Sequence, residues 1–202
     1  MKRFAILSAL AVCLAAFAPA AFAQADATQS GDTKNHGNLG LYFDFTRVQP
    51  ADLNMLGVGG RLGFNVRKHI VLEGEMAYDF ERTKIQNISN GVITTTVRSN
   101  LRMLNALFGM KIQSTGRFRY FALAKAGFVN FGVSGPVTAG TINNSIGNII
   151  DGYTNLAIYP GGGVEYNWGW LGVRLEAGDE IMFLPNGKTN NIRATFGPQI
   201  RF

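Results

Sequence analysis

Cysteine occurs once in the 202 residues, at Cys13, and histidine twice, at His36 and His69. Everything downstream of Cys13 therefore lacks a disulfide framework, a thiolate metal site and a thiol nucleophile. Charged residues make up only 16% of a chain that is 47% hydrophobic, too few to cover the outside of an ordinary soluble β-domain. Long apolar runs are missing as well. Past residue 23 no stretch reaches the roughly 18 apolar residues of a membrane-spanning helix. The formal charge of +6 arises from 19 Lys+Arg against 13 Asp+Glu. It comes with no basic run and no aromatic stacking motif, so no nucleic-acid partner is expected. No helical period and no repeat is found, and Gly161-Gly162-Gly163 lacks the strand-loop-helix context of a phosphate cradle.

The first 23 residues read as an export signal. Lys2 and Arg3 precede an apolar run from Phe4 to Phe17, and Ala21-Phe22-Ala23 is a small-x-small cleavage site before Gln24, so Ala21 and Ala23 mark the expected cut. The signal contains Cys13, but Val12 stands where a lipoprotein box needs a small residue, which argues against lipidation. Cleavage removes two positive charges and leaves a chain without cysteine. Residues 24–37 are polar and unpatterned, a flexible lead-in.

From residue 38 to the end the chain alternates with a period of two, the mark of a strand with unlike faces. Leu39, Leu41, Phe43 and Phe45 oppose Gly40, Tyr42, Asp44 and Thr46. Leu56, Val58, Leu62, Phe64 and Val66 oppose Gly57, Gly59, Arg61, Gly63 and Asn65. Ile70, Leu72, Met76, Tyr78 and Phe80 oppose Glu73, Glu75 and Asp79. Segments near 101–113 and 118–131 are less clean. Leu156, Ile158, Val164, Tyr166 and Trp168 then oppose Tyr159, Gly161, Gly163 and Glu165, and Leu171, Val173, Leu175 and Ala177 oppose Gly172, Arg174, Glu176 and Gly178. The last segment sets Ala194, Phe196, Pro198, Ile200 and Phe202 against Arg193, Thr195, Gly197, Gln199 and Arg201. Eight segments of about 10 residues match the wall of a tilted membrane barrel, and an even count returns both ends to one side. The fold expected is all-β, an eight-stranded antiparallel up-and-down transmembrane β-barrel over 38–202.

The connections alternate in length. Short ones fall at 67–69, 114–117 and 169–170, and longer ones at 47–54, 81–100, 133–155 and 180–190, as for inner turns and outer loops. Trp168, Trp170, Tyr166 and Phe118 beside the short turns suit an aromatic girdle. With apolar faces toward lipid, the interior receives Asp44, Arg61, Glu73, Glu75, Glu165, Arg174, Glu176, Arg193 and Arg201, which must pair because an unpaired buried ion costs several kcal/mol. A two-residue turn at Gly169-Trp170 puts Glu165 opposite Arg174, and a turn at Lys68 puts Arg61 opposite Glu75 with Glu73 diagonal. Closure brings Asp44 near Arg193 or Arg201. Glycines on the charged face make room for long side chains. In a barrel this narrow the network is a plug, which disfavours an open pore. A turn centred on Thr115-Gly116 leaves either Lys111 or Lys125 facing lipid, so a bulge or an odd-length turn is expected there.

In the second outer loop, two polar-apolar runs flank Asn90-Gly91, a type I′ hairpin signal. The resulting 81–100 ribbon would offer unpaired edges to an extracellular partner. Ile146, Ile149 and Ile150 punctuate a third loop of undiagnostic composition. Asp179 with Glu180, and Asp79 with Glu81, are the carboxylate pairs near the outer rim that could serve as acid and base or hold a cation. His36 and His69 are placed away from that rim.

The end of the chain carries the most specific pattern. Thr195, Gly197, Ile200 and Phe202 form a polar residue, a glycine, a spaced hydrophobic and a last aromatic. This resembles the assembly signal on the terminal strand of bacterial outer-membrane barrels. Together with the signal segment, the eight alternating segments and the turn asymmetry, it makes residues 38–202 similar to the OmpA/OmpX-type family of small outer-membrane barrels. The resemblance implies a Gram-negative outer membrane, a periplasmic N-terminus, contact with membrane lipid and with the assembly machinery, and a monomer. It further implies roles in envelope integrity, adhesion or defence. No enzymatic activity, cofactor or metal is expected. The alternatives are a lipocalin-like soluble carrier with the oily face inward, a minor pore, and a lipid-modifying enzyme acting through Asp179 or Glu180.

Overall fold

The computed structural model describes residues 36–49, 53–89, 94–134, 154–184 and 187–202, with side chains described outside 84–89, 94–99 and 133–134. The expected signal, lead-in and cleavage site fall outside these residues, as do the Asn90-Gly91 tip and the third loop. Gly37–Phe202 forms one compact unit. Its strands are β1 (Gly37–Val48), β2 (Leu53–Arg67), β3 (Ile70–Ser89), β4 (Thr94–Gln113), β5 (Phe118–Ser134), β6 (Thr154–Trp168), β7 (Leu171–Leu184) and β8 (Gly187–Arg201). Each pairs antiparallel with its sequence neighbour, and β1 pairs with β8 to close the barrel. Closure uses the last residue: Gly37 N–H donates to Phe202 O at 2.8 Å and Phe202 N–H to Gly37 O at 3.0 Å.

The alternation decides which face is which. Leu41 and Phe43 on β1 are each 69% exposed, whereas Asp44 is 1% and Thr46 0% exposed. The same division runs round the barrel, with Phe108, Tyr120, Leu156, Leu175, Phe196 and Ile200 outside. A continuous exposed apolar belt of this size would aggregate in water and is stable against acyl chains, which makes this a transmembrane β-barrel. A lipocalin-like arrangement has the opposite polarity. At the end that carries the short turns, termed the inner end, Tyr166 lies 5.3 Å from Trp168 with the rings tilted by 43° and Phe118 meets Tyr120 edge-on at 5.1 Å, beside the exposed Trp170. These rings form the aromatic girdle at one interface.

Two connections differ from the sequence reading. The β4–β5 register sets Gln113 opposite Phe121, and Ser114 N–H donates to Tyr120 O at 2.9 Å. The turn is therefore odd in length and centred on Arg117, so Lys111 and Lys125 both point inward, where they are 0% and 2% exposed. The fourth outer connection is not a loop over 180–190, because β7 and β8 stay paired up to Leu184 opposite Gly187. Its polar residues belong to the wall, with Glu180 inward opposite Asn191 and the Asp179 carboxylate accepting from Asn190 Nδ2 at 2.6 Å. The β3–β4 ribbon is paired out to Ser89 opposite Thr94 after a register shift between Asp79 and Arg82, and the expected Asn90-Gly91 turn lies outside the described residues.

Candidate functional site

The lumen is layered. Near the inner mouth Gln199 Nε2 donates to Asn167 Oδ1 at 3.1 Å. The outer part is lined by an apolar cluster that includes Val48, Met55, Leu101, Met103, Val129, Phe131 and Met182, with Leu53 packed against it. This cluster is absent from the sequence reading, whose boundaries place Val48 and Leu53 in a loop. The parity of Val48, Met55 and Met103, continued from the charged residues below them, is the signal that could reveal it.

Between these layers lie seven buried carboxylates, Asp44, Glu73, Glu75, Asp79, Glu165, Glu176 and Glu180, and five buried cations, Arg61, Lys111, Lys125, Arg174 and Arg193. Arg61 lies opposite Glu75 and Glu165 opposite Arg174 on the wall, with Arg61 Nε 3.1 Å from Glu75 Oε2. Other contacts reach along the wall and across the lumen. Arg174 grips Glu73 with both terminal nitrogens, at 2.6 and 3.0 Å, and also contacts Glu176, while Glu165 is 3.2 Å away. Lys111 Nζ reaches Glu165 at 2.5 Å. Lys125 Nζ bridges Glu75 at 2.5 Å and Glu73 at 2.7 Å. Arg193 holds Asp44 at 2.7 Å and Glu75 at 2.7 Å. Arg201 is not brought into the network: it stands opposite Asn38 at the inner mouth, part exposed.

Three inward rings seat the arginines. Arg61 lies over Tyr42 at 4.6 Å, Arg174 over Phe121 at 4.2 Å and Arg193 over Tyr159 at 5.2 Å. Each ring rests on glycine, Tyr42 on Gly59, Phe121 on Gly163 and Tyr159 on Gly178. The glycines thus admit the rings that carry the arginines, rather than the arginines directly. A Cβ on Gly163 would clash with Leu175 O and stand 2.7 Å from Phe121 Cζ, so Gly163→Val should destabilise the barrel by about 1–3 kcal/mol through overpacking. Gly60, whose Cβ position meets only Leu41 Cδ2 at 4.0 Å, should accept valine with little change. Urea unfolding of both variants checks the contrast.

Glu73, Glu75 and Glu176 bring carboxylate oxygens within 4.8 Å of one another, a spacing that could hold a metal. Arg61, Lys125 and Arg174 already occupy that centre, so the chain supplies its own positive charge there. The rim pairs named above do not converge: Glu180 is buried inside while Asp179 is part exposed, and Asp79 is inside while Glu81 is exposed. His69 sits at an inner turn with Nδ1 3.0 Å from Gln113 O. Thr195, Gly197, Ile200 and Phe202 lie on β8 and the residue after it, with Thr195 facing the lumen, where its hydroxyl accepts from Arg61 Nη2 at 3.2 Å, and Ile200 facing outward.

This architecture is that of the small outer-membrane β-barrels. It is similar to the crystal structure of Ail, the attachment invasion locus protein of Yersinia pestis, with a TM-score of 0.53 at 13% identity, over 84% of this chain and 100% of Ail. It is also similar to Ail in complex with the heparin analogue sucrose octasulfate, at a TM-score of 0.50 and 14% identity over 83% and 99% of the two chains. The N-terminal β-barrel domain of Pseudomonas aeruginosa OprF matches at a TM-score of 0.44 and 11% identity over 84% and 100%. No protein-family model and no curated protein matches the sequence.

Proposed function

We propose that the protein is a non-enzymatic barrel of the Gram-negative outer membrane, closed to ion flow, that serves envelope structure and surface interaction through its outer ribbon. The observation that carries this reading is a lumen filled by its own ion-paired side chains inside an apolar exterior. In this reading residues 1–23 are removed after Ala23, the N-terminus and the short turns face the periplasm, and Thr195, Gly197, Ile200 and Phe202 present β8 to the assembly machinery. The barrel acts as a monomer. Its lipid-facing belt supports the membrane location, and the separation of the rim carboxylates onto opposite faces supports the absence of an acid-base site.

In planar bilayers the folded protein should give no steady conductance, because five buried cations and apolar side chains obstruct the axis; large steady currents would overturn the closed lumen. It should fractionate with the outer membrane and migrate differently on a gel before and after heating, whereas recovery as a soluble periplasmic monomer would restore the carrier reading.

The ribbon of β3 and β4 is the part that extends outward. It carries Arg82, Lys84 and Arg98 against Glu81, and Ail has been crystallised with a heparin analogue, which together support an anionic surface partner. Binding to immobilised heparin should weaken as salt rises and fall when these three cations are replaced by serine. Binding unaffected by either would remove the anionic partner from the proposal.

A further inference from the structure

Five of the buried carboxylates engage the five buried cations closely, and two are left over. Asp79 and Glu180 are each 0% exposed, and none of their four oxygens has a hydrogen-bond partner among the described residues. Glu180 Oε2 is 3.8 Å from Arg193 Nη1, but that guanidinium is held by Asp44 and Glu75 at 2.7 Å each. Asp79 has no ion pair among the described residues. Both face the lumen near Arg193. Asp44 and Asp79 flank Gly57 on the β1–β2–β3 wall, Glu180 is paired with Asn191 two residues from Arg193, and Asp79 is within electrostatic reach of Asp44, Arg193 and Glu180.

Other buried polar groups of the lumen are unpartnered too among the described residues. The hydroxyls of Thr46, which pairs with Arg193 on the wall, and of Tyr159, which lies beneath its guanidinium, make no hydrogen bond. The amide nitrogens of Asn105 and Asn191 are also free to donate. Carboxylate and hydroxyl oxygens with a formal excess of two negative charges are the donor set of a hard cation, and lack the nitrogen and sulfur that softer metals select. The burial matters: ionised carboxylates enclosed without a counter-charge cost several kcal/mol each.

We propose that Asp79 and Glu180 together hold one hard divalent cation, Ca²⁺ or Mg²⁺, in the outer half of the lumen, with hydroxyl oxygen and water completing its shell. This site differs from the Glu73, Glu75 and Glu176 centre in that its nearest cation among the described residues, Arg193 at 3.8 Å from Glu180, is already held more closely by Asp44 and Glu75. Apolar Val48, Leu53 and Met55 at the outer ends of β1 and β2 line the lumen beyond it, so the ion is enclosed as the barrel forms and exchanges slowly.

The test is to fold the protein from denaturant into a non-ionic detergent free of lipopolysaccharide, with CaCl₂ or MgCl₂ present, pass it over chelating resin, and measure bound metal by plasma mass spectrometry. The expected result is about one Ca²⁺ or Mg²⁺ per chain, falling roughly tenfold or more in Asp79→Asn/Glu180→Gln and unchanged in Glu81→Gln at the exposed rim. Heat-modifiable migration establishes that each variant has folded. Metal below about one tenth per chain in the unaltered protein would overturn the proposal whatever the variants do, and so would a stoichiometric ion that a folded double variant retains. An unaltered protein that holds no ion and grows more stable with acid would assign the two carboxyls to protons instead, and the cation site would fall.

Discussion

Arg174→Ala should lower the unfolding free energy of the barrel by about 3–5 kcal/mol, the cost of breaking a buried ion pair by removing one partner. The arginine is 2% exposed, grips Glu73 through two nitrogens at 2.6 and 3.0 Å and contacts Glu176 and Glu165 besides. Its loss leaves four cations, Arg61, Lys111, Lys125 and Arg193, for the five carboxylates that five cations now engage. It also removes the nearer of the two cations over the Phe121 ring, leaving Lys111 at 5.2 Å. Arg174→Lys keeps the charge but not the two-pronged grip and should fall between. Glu73→Leu/Arg174→Met, which deletes both charges, should recover part of the loss, since an apolar pair of similar volume is often no worse than the ions it replaces. Urea titration in lipid vesicles measures all three. A loss below about 1 kcal/mol in Arg174→Ala would mean that the network is screened as a surface pair is.

The second large effect is expected on the opposite face. Phe43, 69% exposed midway along β1, should tolerate leucine but not arginine, because a guanidinium at the bilayer midplane costs about 2–4 kcal/mol. The effect belongs to lipid. The same Phe43→Arg substitution on the outside of a soluble barrel would be neutral or would improve solubility, so its sign separates the two environments. Folding yield into vesicles and the urea midpoint of the folded fraction provide the readout.

How much of this can be read in the sequence depends on how far each feature lies from a short turn. Near Gly169-Trp170 and Lys68 a turn of known length fixes the register, and Glu165 opposite Arg174 and Arg61 opposite Glu75 follow by counting. Around residues 114–117 the same counting fails, because a turn on Thr115-Gly116 and the observed turn differ by three register positions. Shifting the turn centre to Arg117 moves every side chain of the following strand to the other face, and with it Lys125 into the lumen. Polar residues mislead at the outer ends. Asp179, Glu180, Asn190 and Asn191 look like a loop when polarity is taken to mean solvent, yet in a membrane barrel polarity also marks the inside. The same assumption hides the apolar outer lumen, since Val48, Met55 and Met182 face inward where the charges below predict polar neighbours. Contacts across the lumen are beyond counting altogether. Arg174 takes Glu73 from β3, 101 positions away, because long side chains in a narrow closed wall reach whichever carboxylate the barrel's tilt sets opposite them, and tilt is a property of closure rather than of any one hairpin.

The claim on which the whole account rests, apolar side chains out and charges in, is most directly tested by fluorophores placed at single cysteines. Residues 24–202 contain no native cysteine to interfere. In vesicles with brominated acyl chains, labels at Phe43, Phe108 and Leu175 should be strongly quenched, and labels at Asn105 and Thr195 should not. Quenching confined to Asn105 and Thr195, with Phe43, Phe108 and Leu175 dark to the lipid, would contradict it.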